Sequence, residues 1–311
     1  MNTKCIVSGI AALALSALLF TACSNENDPT PTISSQYVTV APTVTGEVIT
    51  KAGSSYGQTG DKLYLYYNTA GNATPDQYAD FRYDGAIWNL GTNTMKWATI
   101  HEAATSTGAS TIPFYATAPV VAPVTGTPTK VETDQSITDN YKNSDLLVAY
   151  KSITKAGAPT GYTALSIDLK HALAKLTIEV NAKALEDAVI NSVTIKDAVA
   201  DYTVSYNPSE ATPATTDVDG SNKTNIKPLQ SGSVFSAVLP VQNIQKANGI
   251  TIVIAVGEKT FIYQPEAAIS LQQGKNTTLK LRLNGTGVVL GDVTVSDWGT
   301  GDTKDDNIAA D

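Results

Sequence analysis

The sequence predicts an all-β protein made of two tandem β-sandwiches of about seven strands each. Three observations carry that expectation. Stretches of alternating apolar and polar residues, or short wholly apolar runs, recur between turn residues along most of the chain. Charged residues make up only 16% of the chain, while 22 Gly and 14 Pro punctuate it, as in a turn-rich β protein. Helical spacing is scarce: AKALEDAVI could make two turns and QYADFRY one.

The first feature in chain order is not a strand. Lys4 precedes the run Ile6 to Phe20, which is apolar except at Ser8, Gly9 and Ser16. A run of about 15 residues is too short to span a bilayer, which needs roughly 20, and has the layout of a secretory signal. It ends in Thr-Ala-Cys. Small residues followed by a thiol read as a lipobox, with residues 1–22 removed and Cys23 lipidated, although Phe20 stands where Leu is usual. Cys5 leaves with the signal, so no intrachain disulfide is expected. Residues 23–35 are polar and rich in Pro and Thr, a disordered tether that cannot bury an apolar face.

The strands follow. QYVTVAPTV, DKLYLYYN, TIPFYAT, DLLVAYKS and ALSIDLK come first, then HALAKLTIEV, with Ala172, Ala174, Leu176, Ile178 and Val180 on one face. That pattern predicts a strand buried on one side. A boundary near here divides the chain into an N-terminal domain, 36–184, and a C-terminal domain with an acidic tail, 185–311. The second domain holds INSVTIKDA, DYTVSYN, SVFSAVLPV, GITIVIAVG, KTFIYQP, NTTLKLRLN and GDVTVSDW. ITIVIAV is apolar on both sides and reads as a central strand. Thr125 to Asn143 and Asn207 to Asn225 read as loops.

Composition narrows the function. A net charge of −8 leaves no basic footprint for nucleic acid. Neither histidine has a catalytic setting: His101 lies in a loop-like stretch, His171 opens a strand and is better suited to hydrogen bonding there, no G-x-S-x-G is present, and His101-Glu102 lacks the second histidine of a zinc motif. In DVDGSN, Gly220 is fourth rather than sixth, so the segment reads as a turn and not a calcium loop. No enzyme activity, metal or cofactor is expected. Trp88, Trp97 and Tyr83 have two readings, a platform for stacking sugars or rings filling the first core.

Several segments together resemble a known family. They are EVITKAGSSYGQTGDKLYLYY, FRYDGAIWN with MKWATI and IPFYATAPV, then DLLVAY, IDLKHALAKLTIEV, and GKNTTLKLRLN with GDVTVSDWGTG. In this order they are similar to the Bacteroidales fimbrillins, the lipoprotein pilins of type V pili. Glu26 and Asp28 likewise resemble the acidic signal that sends Bacteroidetes lipoproteins to the cell surface. The resemblance implies transthyretin-like sandwiches and an outer-membrane precursor anchored through Cys23. It implies that a trypsin-like protease frees an N-terminal strand, here Gln36 to Ile49, and that another subunit's segment replaces it. Lys51 is the candidate cleavage site, where the family usually has Arg; Lys155, in a second Thr-Lys-Ala-Gly, is another. The candidate donor strand runs through Gly287, Val288, Val289, Leu290, Val293, Val295 and Trp298, or is an ordinary last strand. Expected partners are other fimbrial subunits, membrane lipid, and host or bacterial glycans or proteins. The alternative is a monomeric glycan- or host-binding surface lipoprotein on the same fold.

Overall fold

The computed structural model describes residues 37–45, 56–67, 77–121, 128–154, 164–185, 189–205, 214–217 and 222–298. In chain order the elements begin with β1 (Val40–Val44), β2 (Lys62–Tyr67), β3 (Gln77–Tyr83), β4 (Trp88–Leu90), α1 (Trp97–Ser106), β5 (Thr111–Ala118), β6 (Thr129–Lys130), α2 (Thr138–Ser144), β7 (Leu147–Thr154) and β8 (Leu165–His171). The rest comprises β9 (Ala174–Asn181), β10 (Ile190–Val199), β11 (Asp201–Ser205, paired with β6), β12 (Ala214–Asp217), β13 (Lys223–Ile226), β14 (Leu229–Ser231), β15 (Val234–Leu239), β16 (Asn243–Ile244), β17 (Thr251–Val256), β18 (Lys259–Tyr263), β19 (Ile269–Ser270), β20 (Lys275–Leu283) and β21 (Val288–Asp297). The protein is all-β, with sheets consistent with sandwich domains.

Seven strands form the first sheet, in the order β1-β8-β7-β5-β2-β3-β4. Strand periodicity sends Leu63 and Leu65, Ala79 and Phe81, and Ile112 and Phe114 to one face, where all are buried. Helix α1 packs into the same cluster through Trp97, Ile100 and Ala104. On the opposite face Tyr66, Tyr115 and Val148 join the core of the second unit.

The second unit sets β14-β15-β9-β20-β21 beside β13-β10-β17-β18. Leu176, Ile178, Phe235, Leu279 and Leu281 from one sheet share a core with Ile195, Ile252, Ile254 and Phe261 from the other. β17 lies inside its sheet, between β10 and β18, as its two apolar faces predict. In β20, Leu279, Leu281 and Leu283 are buried while Lys280 and Arg282 are exposed.

Some expectations are corrected. QYADFRY is strand β3 and not helix, because its true period is two: Ala79 and Phe81 go inward, Tyr78 and Arg82 outward. The loop-like stretch at His101 is helix α1, with Trp97, Ile100 and Ala104 forming one stripe. Strand β6 and most of helix α2 lie in the stretch Thr125 to Asn143, and β12 and most of β13 in Asn207 to Asn225. HALAKLTIEV belongs to two strands. His171 ends β8, the chain crosses at Ala172 and Leu173, and β9 becomes a central strand buried on both faces from Ala174 to Ile178. The hydrogen bonds of β9 go to β15 and β20. The passage carries no turn residue to mark the crossing, where the apolar positions shift from odd (Leu165, Ile167, Leu169) to even (Ala172, Ala174, Leu176).

Candidate functional site

Two sheet edges hold the terminal strands. At the first, β1 pairs in parallel with β8, from Val40 opposite Leu165 to Val44 opposite Leu169. Val38, Val40, Pro42 and Val44 are buried, and Ala41, Thr43 and Thr45 are exposed. The β1 side chains therefore complete the first core. Backbone bonds frame the strand: Val38 N–H donates to Met95 C=O at 2.8 Å, Leu165 N–H to Thr39 C=O at 2.8 Å, and Thr45 N–H to Leu169 C=O at 2.8 Å. Removing such a strand uncovers an apolar groove and an unpaired edge, both surfaces for strand association.

At the second edge, β21 pairs antiparallel with β20, with a bulge between Leu290 and Asp292. The candidate donor residues lie in their own subunit's sheet. Val289 and Leu290 are 50% and 37% exposed, and Val295 is 49% exposed. Trp298 is buried against His171, with ring centroids 3.9 Å apart and planes 3° apart. His171 Nδ1 lies 2.8 Å from the Asp145 carboxylate. The hydrogen-bonding role predicted for His171 is thus seen at the end of β8.

The aromatic candidates separate. Trp97 is only 1% exposed and packs edge-on against Phe114 at 5.9 Å, so it has no face to offer a ligand. Trp88 and Tyr83 are half-buried and pair across the β3–β4 hairpin, 5.3 Å apart. Tyr56, buried, stacks on Trp88 at 5.4 Å. Burial, with Asp61 adding to it, pushes the Tyr56 phenol well above its ordinary pKa. At the hairpin turn Asp84 accepts from the Ala86 and Ile87 N–H groups and from Asn89 Nδ2, which holds its carboxyl below the usual range.

Cys23, Lys51, Lys155 and residues 218–221 of the DVDGSN turn lie outside the described residues. Among the described residues no group of three His, Cys, Asp or Glu could hold a metal, and no helix is long and apolar enough to cross a membrane. Sequence patterns did not mark Asp145, buried Gln135 or half-buried Gln242. Gln135 mimics a neighbouring strand: its Nε2 donates to Val238 C=O, and Val238 N–H donates to its Oε1, both at 2.8 Å. Gln242 makes the same pair of bonds with Val199 at 2.9 Å. Neither residue stands in a pattern that marks it.

With the two edges in view, a family model described as fimbrillin-like matches residues 50–298. The chain belongs to the fimbrillin-like family. That is a family of fimbrial and adhesive structural proteins rather than of enzymes. Among solved structures, the chain is similar to a proposed cell adhesion protein of Bacteroides uniformis, with 16% identity and a TM-score of 0.60 over 84% of this chain and 99% of that one. It is also similar to one of Bacteroides ovatus, with 15% identity and a TM-score of 0.58 over 85% and 98%. At these identities the likeness shows the fold. No curated protein matches the chain.

Proposed function

We propose that the protein is a structural and adhesive fimbrial subunit, carried to the outer membrane as a lipoprotein on Cys23 and assembled at the cell surface by strand exchange. The observation behind this reading is β1: a short edge strand with one wholly apolar face, laid over a core that is open without it. Cleavage at Lys51 separates β1 from the rest of the chain. An extended segment of another subunit then takes its place on β8, with main-chain bonds supplying the ladder and alternate side chains filling the pockets. Such a head-to-tail contact does not close on itself and builds a filament. The incoming segment needs apolar residues at alternate positions. Val288 and Leu290, then Val293 and Val295 beyond the bulge, meet that need.

Trypsin treatment of residues 24–311 tests this directly. The expected products are a stable core beginning at Ala52 and multimers that survive boiling in detergent. Clean cleavage that leaves only monomers would refute strand exchange. Replacing Cys23 with Ser is expected to abolish palmitate labelling and membrane retention; unchanged labelling would refute the anchor.

A second reading keeps the fold and drops assembly: a monomeric binder of glycans or host proteins. Half-buried Trp88 and Tyr83 beside Ile87, which is 60% exposed, favour it. Glycan-array binding lost in Trp88→Ala, together with monomers after cleavage, is the outcome that would select it.

A further inference from the structure

Strand β21 is long, yet little of it is buried. No residue from Asn284 to Asp297 is fully buried, and backbone pairing with β20 is what holds the strand along most of its length. Its end differs. The Trp298 indole lies flat on the His171 ring, and the Trp298 backbone N–H donates to Gly274 C=O at 3.0 Å. Gly274 N–H in turn donates to Leu173 C=O at 2.8 Å. Asp145, just before β7, fixes the imidazole from behind. The terminal strand is therefore tied to the place where the chain crosses from the first unit to the second.

The same place borders β1. The bond from Thr45 N–H to Leu169 C=O lies two residues before His171. β8 pairs with β1 at five positions, Leu165 to Leu169, but with β7 only at Lys170 and His171. Most of the ladder that positions β8 is thus supplied by β1. When β1 leaves, the β8 ladder is reduced to its pairs with β7 at Lys170 and His171.

We propose that Trp298, seated on His171 and Asp145, is a latch that retains β21 on its own subunit, and that departure of β1 from β8 loosens it. The inference rests on the strand-exchange reading and gives it an order: the N-terminal strand leaves first, and the C-terminal strand is then free to reach a neighbour. Before cleavage the latch keeps the half-exposed apolar row of β21 from pairing with other chains, a hazard that unprotected edges carry.

Hydrogen-exchange mass spectrometry on the mature chain tests it. Trp298→Ala is expected to speed exchange across residues 288–297 by about tenfold or more, with β17 unchanged. Trp298→Phe, which can still stack, stays near the wild type. Wild-type protein cut at Lys51 and stripped of β1 shows the same acceleration in β21. Unchanged β21 exchange in Trp298→Ala, or acceleration there matched by β17, overturns the latch, the second result meaning general loosening. The two proposals fail separately. Freed β21 without multimers after cleavage keeps the latch and removes strand exchange. Multimers that form while β21 of Trp298→Ala remains protected remove the latch and keep strand exchange.

Discussion

Asp84 shows how one side chain can hold a hairpin. Its carboxylate collects two backbone N–H groups and the Asn89 amide, and these bonds hold its pKa below the ordinary value. A carboxyl depressed in this way stabilises the fold above its unfolded pKa, and the contribution is lost as pH falls through the lower folded value. The protection of the Ala86 and Ile87 amides is therefore expected to fall on acidification below the usual carboxylate range. In Asp84→Asn that pH dependence should vanish, and NMR exchange measurements across the range would check both. Trp97 is the larger stake. Its ring fills the space between α1 and Phe114, so Trp97→Ala should cost about 3–5 kcal/mol in urea unfolding. Trp88→Ala should cost clearly less, since half-buried Trp88 leaves a smaller cavity.

Strand β1 is the element on which the assembly reading turns, and its stability can be tuned. Val40 is 6% exposed and faces the core. Trimming it to Ala removes about 2 kcal/mol of burial, or roughly 30-fold in local opening if β1 opens on its own. The amide of Leu165, which donates to Thr39 C=O, reports that opening directly. Faster exchange at Leu165 with β17 unchanged is expected; equal acceleration everywhere would mean that β1 never leaves alone. Much at this scale could be read from the residues. The alternation in NTTLKLRLN and the apolar faces of ITIVIAV announced β20 and β17, because burial of one or both faces imposes its own pattern. Helix α1 escaped notice because its stripe is only three residues, set in a stretch rich in Thr and Ala. The break between β8 and β9 was hard to place because no turn residue marks Ala172 and Leu173, where burial passes from odd positions in β8 to both faces of β9.

At the scale of the whole molecule, the two units are joined through buried contacts rather than a free linker. Gln135, on the segment between β6 and α2, bonds both backbone groups of Val238 in β15. Gln135→Ala would leave a buried N–H and C=O unpaired, at a cost of about 1–3 kcal/mol for each. Calorimetry is expected to show a lowered midpoint. Tyr66, Tyr115 and Val148 of the first sheet add to the same junction by packing into the second core. The family and the broad role as a fimbrial or adhesive subunit were legible in the sequence. The all-β class, the strand content and the candidate terminal strands were written in local alternation, which depends only on which face of each strand meets solvent. What tertiary structure decided is which sheet each strand joins: β9 in the second unit, β1 in parallel on β8, and Trp298 on His171. Those are meetings of residues far apart in the chain, and no local pattern encodes them, because their stability comes from partners that are neighbours only once the chain has folded.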